Sequence, residues 1–446
     1  MNRPLRSGLS RLVILLAIVA LVAAACGSSD DGSATETTDG SATETTEGSG
    51  SEPSTDEEVD LEVFWFKVNL VEKWAEVTDE YSRLNPNVSI ETETVGGDQQ
   101  WLPLLKSKFA AGEGPDIYMV EGAAQADAFA GFMSDLSGEP WVSRAIPSAI
   151  DGLTIDGKVL GMPLNLEGYG YIYNKGIFEE AGVTERPTTL SELRAAAEKI
   201  EAAGYIPFST GYGIWWVSGN HLSNMPFAHQ SDPSAFLDGA TARDTKLADD
   251  ALFKALQDLT DLTLEFGEDD PLTSNRDSQQ QLFLDEKAAM FQQGNWREIE
   301  IIEGAPDMEF GLLPMPLTDD PEMGDRLPVG VPFYLIVNEK STDAEKAAAK
   351  AFLNWLVSSD YGKNALVESF GFIPAYPDIE AGQLGGISDD IIEYSAAGKI
   401  VPWVFGQFPD GAPNEMSEAF QRYVAGAQDW ATTLQEWDES WDRLTG

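Results

Sequence analysis

The sequence predicts an α/β protein whose folded part is divided into two lobes. From about residue 59 onward, short apolar segments typical of strands alternate with amphipathic helices, which is the pattern of a parallel sheet covered by helices. Residues 59–446 are too many for one typical compact core. The composition, 43% hydrophobic and 10% aromatic, is that of a globular protein. We therefore expect two lobes, each a mostly parallel sheet flanked by helices.

Residues 1–26 are interpreted as a lipoprotein signal peptide. Three arginines within the first eleven residues precede an uncharged apolar run, Leu12 to Ala25, which is short for a membrane-spanning helix and typical of a signal-peptide core. The sequence Ala-Ala-Ala-Cys at 23–26 resembles a bacterial lipobox, so we expect Cys26 to carry the lipid. An ordinary secretory signal is the alternative. Because Cys26 is the only cysteine, an intrachain disulfide is impossible.

Residues 27–58 are predicted to be a disordered tether. The heptad GSATETT at 32–38 is repeated at 40–46, and no Phe, Leu, Ile, Trp or Tyr occurs between Cys26 and Leu61. Such a segment has nothing to bury, and its acidic residues repel one another and extend it. We expect it to link a lipid-anchored Cys26 to the globular body.

The body opens with alternating strands and helices. The predicted elements are strands at 61–66, 88–94 and 117–120 and helices at 71–84 and 101–111. Ligands of α/β sheets bind at the carboxyl ends of parallel strands. Residues 66–69 and Glu121-Gly122 follow two such ends, so we expect them to border a site.

The stretch Gly161–Phe178 is the feature around which the rest of the body is arranged. Met162-Pro163 interrupts regular structure, and three tyrosines at alternate positions from 169 to 173 then favour a strand. Asn174 is a suitable N-cap for the short helix that follows. Glu167 lies in the irregular part, among aromatic residues.

The remaining elements follow the same alternation. Capping boxes begin helices at Thr189 and Thr342. Further predictions are strands at 206–208, 287–291, 308–315 and 329–337 and helices at 248–265, 278–285, 415–425 and 429–443. A loop rich in Pro, Asp and Gly before residue 329 is expected to carry the chain back to the first lobe.

Several of these segments resemble the extracellular solute-binding proteins of ABC importers, in particular the sugar-binding, maltose-binding-protein-like family 1. The motifs are Gly-x-Pro followed by Tyr-Asn-Lys at 173–175, F-x-x-x-K-A-A-M-x-x-x-G-x-W at 283–296, and Gly-Phe-Ile-Pro-Ala at 371–375. The resemblance covers the chain from about residue 60 to its end. It implies a two-lobed, hinge-linked, type II periplasmic-binding-protein-like fold. The expected limits are 59–165 and 326–375 for lobe 1, and 166–325 and 376–446 for lobe 2.

Charge and motifs argue against several functions. The net charge of −47 disfavours nucleic-acid partners, and it disfavours contact with an anionic membrane other than through a lipid anchor. His221 and His229 are eight residues apart, which is not a helical metal-binding pair. No nucleophile elbow, phosphate loop or dinucleotide motif is present. We therefore expect a monomer without cofactor, metal or catalysis, although paired carboxylates for glycoside hydrolysis stay open.

A sugar site needs flat aromatic rings beside polar groups, because sugars present apolar C–H faces and rims of hydroxyls. The resemblance implies a cleft tryptophan at Trp296 and a hydroxyl-binding carboxylate at Glu167. Trp403 follows a proline, and Trp215 and Trp216 are adjacent, so on a strand only one of that pair would face the cleft. The other candidates are Asn165, Tyr169, Asn69, Glu121 and Arg297. Core packing is the alternative for the tryptophans, and a solvated loop for Glu167.

The expected function is the capture of a mono- or oligosaccharide and its delivery to the permease subunits of an ABC transporter. Maltose-binding proteins carry Asp-Lys after the first strand where this chain has Val68-Asn69, and residues 120–123 differ as well. Maltose itself is therefore not implied. The alternatives are the same fold with another solute, such as a polyamine, a glycerol phosphodiester or a peptide, or a surface glycosidase or adhesion lipoprotein.

Overall fold

Two separate β-sheets organise the body of the protein. The computed structural model describes residues 57–96, 100–382 and 384–446, which belong to the unit Asp56–Gly446. The predicted signal peptide, with Cys26, and nearly all of the predicted tether lie outside the described residues. None of the helices in the described ranges is both long enough and apolar enough to cross a membrane.

The strands are short except for one of ten residues. In chain order they are β1 Val59–Trp65, β2 Val88–Thr94, β3 Ile117–Val120, β4 Thr154–Ile155, β5 Lys158–Val159, β6 Met162–Pro163, β7 Asn165–Asn174, β8 Ile206–Ser209, β9 Ala288–Gly294, β10 Phe310–Leu313, β11 Leu327–Gly330, β12 Tyr334–Val337, β13 Ile373–Pro374 and β14 Ile400–Val401.

The helices fill most of the chain between the strands. They are α1 Val71–Leu84, α2 Trp101–Ala111, α3 Ala123–Asp127, α4 Pro147–Asp151, α5 Lys175–Glu180, α6 Leu190–Ala202, α7 Ser223–Ala228, α8 Pro233–Thr241, α9 Ala251–Glu265, α10 Arg276–Leu284, α11 Glu298–Gly304, α12 Pro321–Gly324, α13 Asp343–Ser358, α14 Asp360–Asn364, α15 Gly386–Ala396, α16 Ala412–Val424 and α17 Trp430–Leu444. The limits predicted for α1, β2 and α2 are confirmed.

Local capping predictions are also confirmed. Asn174 Oδ1 accepts a hydrogen bond from the Ile177 N–H, 3.0 Å away, at the start of α5. Thr189 and Thr342 each form the predicted capping box, at α6 and α13. These short-range signals work because the side chain satisfies N–H groups that the first helical turn leaves without partners.

The first sheet has the strand order β2-β1-β3-β12-β6. β1 is parallel to β2 and β3, as the sequence predicted, whereas β12 is antiparallel to β3 and β6. Its core is rich in aromatic rings; Trp65 on β1 stacks on Trp74 of α1 with ring centroids 4.0 Å apart. This packing holds the carboxyl end of β1 in place, and the residues that follow β1 lie between the lobes.

The second sheet is built around β7. β9, β10, β11 and β13 all pair with it antiparallel, and only β8–β9 and β11–β14 are parallel pairs. The prediction of a mostly parallel sheet is therefore wrong for this lobe. β7 begins next to the first lobe and runs away from it. β9 and β11 end next to the first lobe, so both must run antiparallel to β7.

The predicted strand 329–337 is two strands in two different sheets. β11 pairs with β7 of the second sheet, and β12 pairs with β3 of the first. The chain therefore crosses between the lobes at Val331-Pro332-Phe333 and not in the preceding loop, which contains α12. Proline supplies no N–H to a sheet ladder, so Pro332 is a natural place to interrupt the strand.

Within the part of the chain that the structure describes, three connections join the lobes. They are Leu164 between β6 and β7, the segment between β11 and β12, and the segment around β13, which pairs with the first residues of β7. The lobe limits stay a prediction. β11, which follows the predicted return at residue 326, pairs within the second sheet.

Candidate functional site

A cleft that is partly open to solvent lies between the two sheets. The first lobe contributes the residues that follow β1 and β3, as expected for an α/β sheet. The second lobe contributes most of the aromatic rings. The lining residues are Phe66, Lys67, Val68, Asn69, Gly96, Trp101, Glu121, Glu167, Trp215, Trp216, Asn220, His221, Arg276, Trp296, Pro332, Trp403 and Phe405.

Three indole rings of the second lobe form one wall of the cleft. Trp216 and Trp296 meet edge to face with centroids 6.0 Å apart, and Trp296 and Trp403 do the same at 6.4 Å. Phe405 continues the wall 5.1 Å from Trp403. Edge-to-face packing leaves ring faces of more than one orientation available to a ligand.

His221 supports this wall as a neutral ring. It stacks on Tyr169, with centroids 4.0 Å apart and an interplanar angle of 9°. Burial lowers the pKa of His221 to about 3, so its imidazole is uncharged at neutral pH. Gln292 Nε2 lies 3.0 Å from His221 Nδ1 and fixes the orientation of the ring.

Two aromatic rings of the first lobe face the opposite side of the cleft. Phe66 and Trp101 stack with centroids 4.8 Å apart. Glu121 lies beside them and accepts a hydrogen bond from Gln125 Nε2 at 2.7 Å. Burial raises the pKa of Glu121 to about 7, while Gln125 and the charge of Lys67 oppose that rise. At neutral pH the Glu121 carboxyl is therefore only partly ionised.

An ion pair connects the two lobes at the base of the cleft. Lys67 Nζ lies 2.7 Å from Glu167 Oε1, and the two side chains are only 12% and 4% exposed. Asn165 Nδ2 approaches the same oxygen at 3.4 Å. Nearby, Asn69 Nδ2 donates to the Trp296 carbonyl at 3.4 Å. Residues of β1 and its loop thus reach directly to the second lobe.

The outer rim of the cleft is bridged as well. Lys106 forms an ion pair with Asp410, and Gln100 Nε2 donates to Asn414 Oδ1 at 3.0 Å. A Cβ atom on Gly122 would lie 2.7 Å from the carbonyl oxygen of Gly406, so the two backbones touch there. The lobes therefore meet on both sides of the cleft, which is a closed arrangement.

The structure brings most of the sequence-predicted residues together at the cleft. Those that line it are Asn69, Glu121, Glu167, Trp215, Trp216, Trp296 and Trp403. Trp215 and Trp216 lie in a helical segment, followed by a π-helical turn at Val217–Leu222, and not on a strand. Successive helical side chains are about 100° apart, which lets both indoles reach the same cleft.

Three predicted residues lie behind the lining. Asn165 is fully buried beside Glu167, and Tyr169 is fully buried beneath His221, to whose carbonyl oxygen its hydroxyl donates at 3.1 Å. Arg297 is 1% exposed and pairs with Glu300 at 2.7 Å. The alternation of strand residues explains Asn165 and Tyr169, which share a face of β7 with Glu167 but are covered by other side chains.

Sequence reasoning missed part of the lining. Lys67 and Phe66 lay within the loop expected to border the site, so their position was a usable signal. Trp101 begins α2 and carried no motif. Arg276, at the start of α10, and Asn220, in the π-helical turn, were indicated by nothing local. Among the described residues, no group of His, Cys, Asp and Glu is arranged to hold a metal ion.

Comparison with known proteins assigns a family. The family of bacterial extracellular solute-binding proteins matches residues 67–363, which is more than half of the chain. A maltotriose-binding protein of Pyrococcus abyssi (strain GE5 / Orsay) is 25% identical over 329 residues, covering 71% of this chain and 67% of that protein.

Solved structures of similar fold include a chitin oligosaccharide binding protein, with a TM-score of 0.76 and 22% identity, covering 87% of this chain and 99% of the other. A solute-binding protein in complex with raffinose gives a TM-score of 0.74 at 18% identity, covering 87% and 100%. The likeness in fold confirms the two-lobed architecture that the sequence predicted. The chain belongs to the family of bacterial extracellular solute-binding proteins.

Proposed function

We propose that the protein is the lipid-anchored, extracytoplasmic solute-binding component of an ABC importer. It captures a carbohydrate between its lobes and delivers it to the permease subunits. The observation that carries this proposal is the wall of Trp216, Trp296 and Trp403 inside a cleft that also holds charged and amide side chains.

The composition of the cleft suits a sugar. Indole rings can cover the apolar C–H faces of a pyranose, and the hydroxyl rim needs donors and acceptors beside them. Lys67, Glu167, Asn69, Asn220 and Arg276 provide both kinds of group around the rings. The names of the relatives, a maltotriose-binding protein and a chitin oligosaccharide binding protein, support the same class of ligand.

Capture is proposed to occur by closure of the lobes about the three connecting segments. The contacts that cross the cleft, Lys67 with Glu167 and Lys106 with Asp410, exist only when the lobes meet. A ligand that touches both lobes favours that state, because it binds the closed form better than the open one. Closed and open forms then present different surfaces to the permease.

Other solutes fit the charges of the cleft less well. A polyamine needs several free carboxylates, but Glu167 is neutralised by Lys67 and Glu121 is only partly ionised at neutral pH. A glycerol phosphodiester would find Lys67 and Arg276, and it is the second candidate for that reason. A glycosidase would need an unpaired carboxylate beside the bond to be cleaved, whereas Glu167 is paired with Lys67.

A thermal-shift screen of the purified chain tests the substrate class. The probes are maltotriose, raffinose, a chitin oligosaccharide, spermidine and glycerophosphocholine. A ligand that binds only the folded state raises the melting temperature by mass action. We expect a rise with one of the sugars. A rise only with spermidine or glycerophosphocholine would overturn the carbohydrate proposal, and release of cleaved sugar would indicate an enzyme.

Two substitutions test the site itself. The double variant Glu167→Gln/Trp296→Ala removes one carboxylate and one ring from the cleft and leaves Lys67 without its partner. We expect the protein to stay folded with a lower melting temperature, and the sugar-induced rise to disappear. Glu179→Gln, at an exposed position on α5, is the matched control and should bind normally. Unchanged binding by the double variant would remove the site assignment.

Lipid anchoring is tested in cells that express the protein. Cys26→Ser should move it from the membrane fraction to the medium or periplasm, because the tether then carries no acyl chain. Retention of the variant on the membrane, with the wild type as reference, would contradict a lipid attached at Cys26.

A further inference from the structure

Two glycines lie on the cleft face of the second sheet. Gly330 of β11 is paired with Glu167, and Gly294 of β9 is paired with Tyr169. Directly paired residues in an antiparallel ladder project to the same side of the sheet. Both glycines therefore belong to the face on which Glu167 reaches the cleft.

Each glycine lies directly beneath an indole ring of the cleft wall. A Cβ atom on Gly330 would lie 2.7 Å from Trp403 Cγ, 2.8 Å from its Cβ and 3.0 Å from its Cδ2. A Cβ atom on Gly294 would lie 2.4 and 2.6 Å from Cζ3 and Cη2 of Trp296. These distances are shorter than carbon atoms in van der Waals contact allow.

Backbone conformation does not explain the glycines. Gly294 has φ −140° and ψ −169°, which is extended and open to any residue. Gly330 ends a strand and is absent from the glycines of the described chain that have positive φ. At both positions, then, it is the space taken by the neighbouring groups, and not the backbone angle, that excludes a side chain.

We infer that Gly330 is a specificity-determining position of the cleft, because it lets the base of the Trp403 side chain pack directly against β11. This rests on the proposed function, in which Trp403 contacts the ligand. Any larger residue would displace the base of the indole, including its Cβ, and so move the whole ring into the cleft. Ligands selected by the spacing between Trp403 and Trp296 would then fit less well.

Gly330 is the better position for a test than Gly294. The three atoms nearest to a Gly330 Cβ all belong to the Trp403 side chain, so the change acts first on that side chain. A Cβ on Gly294 would also lie 2.3 Å from the carbonyl oxygen of Gly168, and would disturb the pairing of β9 with β7. Gly330→Ala therefore isolates the effect on the tryptophan.

The experiment is a double-mutant cycle on the full chain with Gly330→Ala, Trp403→Gly and both together, because glycine removes every Trp403 atom that a Gly330 Cβ would meet first. The first readout is the near-ultraviolet circular dichroism of the ligand-free protein, which reports the surroundings of the indoles. The second is the Kd of whichever of maltotriose, raffinose or a chitin oligosaccharide binds the wild type. We expect Gly330→Ala to change the spectrum and to weaken binding by tenfold or more.

Both effects should vanish when Trp403 is glycine, because Gly330 acts through that side chain. Gly138→Ala is the matched control, since a Cβ there meets no atom within 4 Å, and it should leave spectrum and Kd unchanged. Wild-type affinity in Gly330→Ala, or a spectral change that persists in the Trp403→Gly background, would overturn the inference. If no sugar binds the wild type, the carbohydrate proposal fails, and the spectra alone decide whether Gly330 positions the ring.

Discussion

Charges inside the cleft are balanced residue by residue. Lys67 and Glu167 neutralise each other at 2.7 Å, and both are largely removed from water. Removing one partner of such a pair leaves an uncompensated buried charge, which is costly. Among the described residues, no cation lies within hydrogen-bond distance of Glu121, and its ionisation is held back by partial burial instead. This makes Glu121 the group of the cleft whose charge changes near neutral pH.

Glu121→Gln should change how stability depends on pH. The pKa of Glu121 is raised from its usual 4.5 to about 7 in the folded protein. A raised pKa stabilises the fold below pH 4.5, and this contribution is lost as pH rises through 7, because the folded state must then ionise a group that is partly removed from water. Glutamine does not titrate and can still accept the hydrogen bond from Gln125.

The measurement is the melting temperature of wild type and Glu121→Gln from pH 4.5 to 8. We expect equal values at the acid end and a growing advantage of the variant above pH 5. The gain at pH 8 should be on the order of 2 kcal/mol, since one pKa unit corresponds to about 1.4 kcal/mol and Glu121 is partly exposed. A difference that stays constant over the whole range would contradict this explanation.

At the scale of elements, α15 is held in place by a buried carboxylate from α11. Glu298 is 2% exposed, and its Oε1 accepts hydrogen bonds from the N–H groups of Ile387 at 2.7 Å and Ser388 at 3.1 Å. These groups belong to the first turn of α15, where the helix dipole favours a negative charge. Burial raises the pKa of Glu298 to about 7 despite these hydrogen bonds. The carboxylate thus ties two helices together.

Glu298→Ala should therefore destabilise the protein by about 2–3 kcal/mol, because it leaves buried N–H groups without an acceptor. Chemical denaturation at pH 5 measures the loss, because at pH 8 the cost of ionising this buried carboxyl, whose pKa is raised to about 7, would offset it. Glu303→Ala is the matched control, since Glu303 is exposed on the same helix, and should change stability by no more than about 0.5 kcal/mol. Equal losses in the two variants would show that the contact with α15 is unimportant.

For the molecule as a whole, closure depends on contacts at the outer rim of the cleft. Lys106 of α2 pairs with Asp410 of the second lobe, and their side chains are 33% and 48% exposed. An exposed ion pair contributes about 0.2–1 kcal/mol. This pair joins the two lobes, so under the proposed closure mechanism its contribution should add to ligand affinity and not to the stability of either lobe.

Reversing one of these charges should weaken sugar binding, and reversing both should restore it. Lys106→Asp or Asp410→Lys alone places like charges across the rim and should weaken sugar binding by about two- to fivefold. The double reversal should restore it, as calorimetric Kd values would show. Lys108→Asp is the control, because Lys108 pairs with Glu93 within the first lobe at 2.6 Å. A double reversal that binds as weakly as the single variants would exclude a role of this pair in closure.

The sequence by itself determined the local elements and the residue types of the site. Amphipathic spacing and capping residues act within a few positions of the chain, so the limits of α1 and α2 and the caps at Asn174, Thr189 and Thr342 were predictable. Trp296 and Glu167 were identified through family motifs, which also gave the two-lobed fold. These are properties that short stretches of sequence carry.

Only the tertiary structure decided what meets across the cleft. Three features depend on how the chain folds into lobes that meet. They are the pairing of Lys67 with Glu167, 100 positions apart, the position of Arg276 in the lining, and the division of 329–337 between two sheets. The same holds for the antiparallel order around β7 and for Gly330 beneath Trp403. Such contacts join residues far apart in the chain, and no local pattern specifies their distance or direction.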